Sequence, residues 1–431
     1  MSSALFLTHE HVIQGQHIRE YPAATVDSQE EALNLHIKHY VPLNNPNPTH
    51  GDVTVVAAHA IGFPKELYEP LWDELLQRSN RLGFRIRGIW IADIANQGKS
   101  SVLNEDKLGN DPSWFDHPRD LLHIINHFRD QMPRPIVGIG HSMGGNNLVN
   151  LSLIHPRLLT SLVLLDPVII EASKPPNQDK NPVTLASTVR RDLWPSREVA
   201  AAWFGNSKFY QTWDARVLKK WIEFGLRDLP TAIYPSVSLS QDTKRAVTLT
   251  TPKHQEVFTF SRPNYAGQDA TGKQIINRTT HADLDPADSY SFPFYRPEPR
   301  ITFRNLPFLR PSVLYVFGGE SDLSTPEFRK MKIERTGIGV GGSGGAQCGR
   351  VKEVVLEGIG HLVAMDAVGS CAEAAAMWFD QEMQRWRKEE EAFRREWSKK
   401  KKQDKFMIDE EWMKRIGAKP GRSNPGGLNK L

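Results

Sequence analysis

Ser142 is the residue whose surroundings most suggest chemistry. It lies in Pro-Ile-Val-Gly-Ile-Gly-His-Ser-Met-Gly-Gly, residues 135–145. An apolar run at 136–139 breaks into Gly140-His141-Ser142-Met143-Gly144, and helix-compatible residues follow at 146–154. Gly-x-Ser-x-Gly between a strand and a helix is a nucleophile elbow, with the serine held on a strained turn. The flanking glycines are needed because a side chain there would strike the facing strand or helix. A serine hydroxyl is a weak nucleophile until a base takes its proton. The base expected is His361, in the short loop Gly358-Ile-Gly-His361 after the last apolar run. The elbow carries serine rather than the carboxylate of an epoxide or haloalkane hydrolase. The expected reaction is therefore acyl transfer to water from an ester or thioester.

The base needs a carboxylate to hold its tautomer and to stabilise the imidazolium. Two aspartates qualify. Asp322 follows the apolar run at 312–317, the commoner location, and Asp166 follows the run at 161–165, one strand earlier. Both loops end on the same edge of the expected sheet, so spacing alone leaves the choice open. The oxyanion of the tetrahedral intermediate needs backbone N–H donors. Met143, just after the serine, supplies one. Ile61, in His59-Ala60-Ile61-Gly62-Phe63-Pro64, supplies the other, because the loop after the third strand does so in this architecture.

These residues need a scaffold that brings strand ends together. The apolar run at 53–58 reads as a strand buried on both faces of a parallel sheet, and 84–91, 136–139, 161–165, 312–317 and 351–356 read as further strands. Alternation at 11–21 and 33–41 predicts a lead-in hairpin. Helices are expected at 68–79, with a core stripe of Leu71, Trp72, Leu75 and Leu76, and at 114–131, 331–335 and 363–387. The fold class is thus α/β, a mostly parallel central sheet with helices on both faces. The alternation stops between 170 and 308. Helical pieces at 196–204 and 215–226 are separated by polar stretches and isolated tryptophans, Trp194, Trp203, Trp213 and Trp221. This predicts a large lid over the catalytic edge. The expected organisation is core at 1–169, lid at 170–308, core again at 309–387, and a charged helical arm with a flexible tail at 388–431. The arm is read as packing on the domain or on a second subunit, which would make a homodimer.

Other chemistries find little support. The 431 residues carry a net charge of only +4, and no basic groove interleaved with aromatics is visible, so no nucleic-acid partner is expected. No apolar run reaches membrane-spanning length, and the first residues lack a secretory pattern. Cys348 and Cys371, the only cysteines, have no metal-ligand spacing and read as reduced thiols inside a cell. His117, His123 and His127 share one helix without a carboxylate or cysteine at ligand spacing, and read as surface or packing histidines. His281-Ala-Asp-Leu-Asp285 reads as a capped turn. The run at 337–345, Gly-Ile-Gly-Val-Gly-Gly-Ser-Gly-Gly, lacks the lysine of a P-loop and reads as a flexible surface loop. No metal or cofactor is expected.

Several longer strings carry a resemblance. They are Pro64-Lys-Glu-Leu-Tyr-Glu-Pro-Leu-Trp-Asp-Glu-Leu-Leu76, His127-Phe-Arg-Asp-Gln-Met-Pro-Arg-Pro135, Gly138-Ile-Gly-His-Ser142, Trp194-Pro-Ser-Arg-Glu-Val199 and Tyr295-Arg-Pro-Glu-Pro-Arg300. On these the chain resembles the fungal peroxisomal α/β-hydrolases of secondary-metabolite pathways, nearest to the acyl-CoA hydrolase branch of mycophenolic acid biosynthesis. The resemblance implies the α/β-hydrolase fold. It also implies a Ser-His-Asp hydrolase acting on an acyl-CoA thioester of a polyketide- or fatty-acid-derived chain. It points to Asp166 as the acid, since that branch carries Asp-Pro at the matching place. Asn429-Lys430-Leu431 is similar to the Ser-Lys-Leu address, implying the peroxisomal matrix and an import receptor as partner. The chain departs from the family in keeping Asp322, in Met143 where an aromatic is expected, and in His59-Ala60 for His-Gly. A carboxylesterase on a small ester and a non-catalytic ligand-binding member of the fold are the alternatives.

Overall fold

The computed structural model describes residues 4–171, 182–235, 246–286 and 293–417. The expected C-terminal address at 429–431 and part of the expected lid lie outside the described residues. The chain divides into two compact units, 1–383 and 384–431.

The first unit is built on an eight-stranded sheet. Its strands are β1 (Phe6–Gln14), β2 (Asn34–Pro42), β3 (Val53–Ala58), β4 (Ile86–Ala92), β5 (Ile136–His141), β6 (Ser161–Leu165), β7 (Ser312–Gly318) and β8 (Val351–Leu356). The spatial order is β1-β2-β4-β3-β5-β6-β7-β8, antiparallel at the β1-β2-β4 end and parallel from β4 to β8. Strands β3, β5, β6 and β7 are buried along their whole length. That is why they read as unbroken apolar runs: both faces of each meet helices. The first strand lies earlier than the alternation at 11–21 suggested. Phe6, 2% exposed, anchors its start, and the pairing with β2 ends at Gln14 and Asn34.

Helices α1 (Glu69–Ser79), α2 (Asp116–His127), α3 (Met143–Ile154) and α4 (Pro326–Arg335) belong to this unit. The Leu71, Trp72, Leu75 and Leu76 stripe of α1 is buried. On α2, His117 is buried while His123 and His127 are exposed. The main apolar core runs from Leu35 and Ile37 on β2, through Leu148 and Leu151 on α3, to Tyr315 and Phe317 on β7.

Between β6 and β7 lies a small separate sheet, Leu193–Trp194, Val247–Leu249 and Leu226–Asp228, antiparallel in that order. Its strands of two or three residues are too short to show alternation in sequence. The tryptophans read as isolated are gathered here into one aromatic cluster. Trp194 packs on Phe204 at 5.3 Å between ring centroids, Tyr210 on Trp213 at 4.9 Å, and Trp213 on Trp221 at 6.1 Å. Phe63 of the main domain sits edge-on against Trp213 and Trp221, at 5.4 and 6.0 Å. The 281–285 turn closes on a buried cation: Arg262 Nη1 donates to Asp283 at 2.8 Å.

The glycine-rich run at 337–345 is not a loose loop. Gly337 N–H donates to Leu306 O at 2.8 Å, Gly339 N–H to Pro307 O at 2.7 Å, and Ser343 N–H to Leu309 O at 3.0 Å. Gly337, Gly341, Gly344 and Gly345 have positive φ, so the glycines serve a fixed backbone shape rather than mobility. The helix expected at 363–387 is divided: Val363–Asp366 is a separate short helix, and α5 runs from Val368 to Lys399, into the stretch expected as a helical arm. Pairs one turn apart, Arg385 with Glu389 and Arg394 with Glu390, support helix in that polar sequence. The second unit then adds a short helix, Glu410–Arg415.

Candidate active site

Ser142 stands between β5 and α3 with φ 58° and ψ −119°, a conformation that costs energy for any residue with a side chain. Three backbone bonds hold it there. Its N–H donates to Leu165 O at 2.9 Å, and its carbonyl accepts from Gly145 and Val168 N–H, each at 3.1 Å. The glycines on either side are sterically required. A Cβ at Gly140 would lie 2.5 Å from Gly144 O, and one at Gly144 would lie 2.1 Å from Ala58 O on β3.

The loop after β8 brings His361 to this serine, with Nε2 2.9 Å from Ser142 Oγ. On the other side of the ring, Nδ1 is 2.6 Å from Asp166 Oδ2. A neutral imidazole whose Nδ1 faces a carboxylate carries its proton there, leaving Nε2 as the acceptor for the serine hydroxyl.

Asp166 is fully buried and occupies a positive φ of 40°. Each of its oxygens takes two donors. Gly318 N–H (3.2 Å) and Ser324 Oγ serve Oδ1, while Ser321 Oγ (2.6 Å) and the His361 ring serve Oδ2. That fills the acceptor capacity of a carboxylate. Burial alone would raise its pKa. The His361 hydrogen bond and charge, with the two serine hydroxyls, outweigh burial and hold it below the ordinary value. Asp322, the other sequence candidate, is exposed on the loop after β7. That loop reaches the site through Ser321 and Ser324 instead. The sequence reading missed both hydroxyls. The available signal was Ser-Asp-Leu-Ser directly after Gly318-Gly-Glu, a polar cluster at the end of a buried strand.

Ile61 and Met143 lie together in a small apolar cluster with Ile94 and Trp114, bordered by Val168 and Phe260. The amides around Ile61 are already engaged. Ala60 N–H donates to Tyr68 Oη at 2.9 Å and Gly62 N–H to Gln97 Oε1 at 2.8 Å. Among the described residues no hydrogen bond takes the N–H of Ile61 between them. Met143 opens α3, where the first-turn amides have no partner within the helix. His59 braces the same loop. Its Nδ1 lies 2.8 Å from Ala60 O, and its Nε2 accepts from Ile94 N–H at 3.0 Å. Burial lowers its pKa and keeps it neutral.

A buried lysine ties the acid's surroundings together. Lys332 of α4 donates from Nζ to Leu323 O at 2.8 Å and reaches Pro167 O at 3.5 Å. Burial pushes its pKa down to about 8, with Asp166 opposing that shift. Among the described residues, no group of three or more His, Cys, Asp or Glu side chains could hold a metal ion. No helix there is long and apolar enough to cross a membrane.

Residues 55–374 match the model of the alpha/beta hydrolase family. The chain is 45% identical over its full length, and over the full length of the relative, to the type I acyl-CoA thioesterase mpaH of Penicillium roqueforti. It is equally similar, again over both full lengths, to the type I acyl-CoA thioesterase mpaH' of Penicillium brevicompactum. Among solved structures, the peroxisomal alpha-beta-hydrolase Lpx1 of Saccharomyces cerevisiae superposes with a TM-score of 0.65 at 18% identity. That alignment covers 88% of this chain and 90% of the other. At that identity the likeness speaks for the fold alone.

Proposed function

The chain belongs to the alpha/beta hydrolase family, and from that premise we propose that it is an acyl-CoA thioesterase using Ser142, His361 and Asp166. The observation that carries the reading is the continuous line from Asp166 through His361 to Ser142, with contacts of 2.6 and 2.9 Å. Full-length similarity to two named acyl-CoA thioesterases supports the thioester as substrate class.

In this reading His361 Nε2 removes the Ser142 proton as Oγ attacks the thioester carbonyl. The imidazolium that forms is stabilised by ionised Asp166, which itself stays unprotonated. The amides of Ile61 and Met143 receive the developing oxyanion, each contributing about 3 kcal/mol by analogy with measured oxyanion holes. Collapse of the intermediate expels the CoA thiolate, which takes the proton from His361. Water, deprotonated by the same ring, then releases the acid and restores the serine. The acyl group is polyketide- or fatty-acid-derived, as in the family resemblance. The tripeptide Asn429-Lys430-Leu431 extends the proposal to the peroxisomal matrix, and a reporter ending in these residues would stay cytosolic if the address is inactive.

Release of CoA from a panel of acyl-CoA thioesters, set against simple esters of the same acids, tests the function. Ser142→Ala should abolish turnover. Retained turnover would overturn the mechanism, and a preference for the simple esters would make the protein a carboxylesterase.

A further inference from the structure

One buried line of hydrogen bonds passes beside the triad without belonging to it. Ala60 N–H donates to Tyr68 Oη at 2.9 Å, Tyr68 Oη lies 2.9 Å from His141 Nδ1, and His141 Nε2 lies 3.2 Å from His361 O. Tyr68 and His141 are 2% and 0% exposed.

The chemistry of its two ends sets the direction of every proton. A backbone carbonyl only accepts, so His141 carries its proton on Nε2 and leaves Nδ1 as an acceptor. Tyr68 must then donate to Nδ1, and its oxygen is free to accept from Ala60 N–H, which can only donate. Each atom is used once and none conflicts. Burial, with His361 as the next cause, pushes the His141 pKa down to about 3, so the ring stays neutral across the working range. Burial also raises the Tyr68 hydroxyl well above its ordinary value, so it keeps its proton.

The line joins three segments that must agree in position. Ala60 immediately precedes Ile61, His141 immediately precedes Ser142, and His361 is the base. The base loop needs such a restraint. Gly358 and Gly360 allow wide backbone freedom, and Gly358 has φ 73°. Among the described residues its carbonyls are held at Ile359, by Glu320 N–H at 2.9 Å, and at His361, by His141.

We infer that Tyr68 and His141 are positioning residues, which hold the oxyanion loop, the elbow and the base loop in mutual register for the reaction at Ser142. The inference rests on the serine-hydrolase reading above. A misplacement of about 1 Å in such a constellation costs up to about 100-fold in rate.

The test uses the full chain with Tyr68→Phe, His141→Gln and the double variant. Two readouts are the rate at which a fluorophosphonate labels Ser142 and the kcat and KM for a CoA thioester. Tyr68→Phe removes one oxygen and should lower kcat and the labelling rate together by about 10- to 100-fold, with KM within about twofold and the melting temperature nearly unchanged. The double variant should be no slower than the slower single, because the two residues act as one unit. Labelling of Tyr68→Phe at the parental rate, or losses that multiply in the double variant, would overturn the inference. So would a loss of rate that merely tracks a loss of melting temperature. The imidazole nitrogen signals of His141 in the unaltered chain need no variant to fold, and a proton on Nδ1 would also overturn it. If the parent itself is not labelled at Ser142, the serine-hydrolase reading fails and the inference falls with it. If the parent is labelled and Tyr68→Phe is labelled as fast, only the inference fails.

Discussion

The loop after β6 supplies a carboxylate, and the loop after β7 supplies two hydroxyls that point at it. The second loop also carries an aspartate, but Asp322 faces solvent while Ser321 and Ser324 turn inward to Asp166. The two loops therefore have complementary roles, in which one carries the charge and the other solvates it. The difference shows that a carboxylate's place in the chain matters less than who donates to it once buried. Burying a charge is costly unless hydrogen bonds replace the lost water, and neighbouring strands in a parallel sheet deliver such donors to the same edge.

Breaking the charged side of this pair should have the largest effect. Asp166→Asn keeps the shape but offers His361 a neutral amide, and kcat should fall about 10⁴-fold. Steady-state turnover of a CoA thioester measures this.

Removing the donors should cost less. Ser321→Ala with Ser324→Ala strips two hydroxyls from Asp166, and about a tenfold loss of kcat is expected. The pH dependence of stability should move with it. A carboxylate held below its ordinary value of 3.8 adds stability that is present above that pH and is lost as pH falls through the folded value. With fewer donors the folded value rises, so the double variant gains less stability at neutral pH and loses it earlier on acidification. Urea melts at pH 7 and pH 4 would reveal the change.

Lys332 tests the connection between the loops, since it spans Leu323 O and Pro167 O. Its folded pKa of about 8 lies below the ordinary 10.5. Between those values the unfolded chain binds more protons than the folded one, so this residue makes stability rise with pH there. Below about pH 8 the cost of burying the ammonium is present in full. Lys332→Met should flatten the melting temperature across pH 8–10 and lower kcat about threefold. Asp322→Asn, on the exposed side of the pair, should leave kcat within about twofold of the parent. A large loss there would mean that the loop after β7 supplies the acid after all.

How far these features could be read in the sequence depends on how local their causes are. Val53–Ala58 and Ser161–Leu165 were expected at the residues where they occur, because burial and pairing act on every residue of such strands. The edge strand β1 was misplaced, since only one face of it is constrained. The elbow was legible because its glycines answer to contacts within a few residues of Ser142. The donors to Asp166 were not, because they lie 152 to 158 residues away and matter only once β6 and β7 are neighbours. Tyr68 was passed over as the first residue of an expected helix, and nothing local marks the polar end of a buried tyrosine. The run at 337–345 was misread for a similar reason. Glycine content signals permission for unusual backbone angles, and only the fold tells whether mobility or a pinned turn makes use of it.

The sheet order also bears on how the protein is made. Ser142 leaves the ribosome 219 residues before the histidine whose Nε2 faces it. Its neighbours β3 and β5 can pair early, since domains emerge from the N-terminal side. Strand β7, whose far end leads to Ser321 and Ser324, must still dock beside β6, and β8 must then join the edge before His361 arrives. Under the proposed mechanism a nascent chain would carry an inert serine through about half of its synthesis. Reactivity would switch on only when the last strand closes the sheet, so a fluorophosphonate added to a translation reaction is expected to report completed folding rather than elongation.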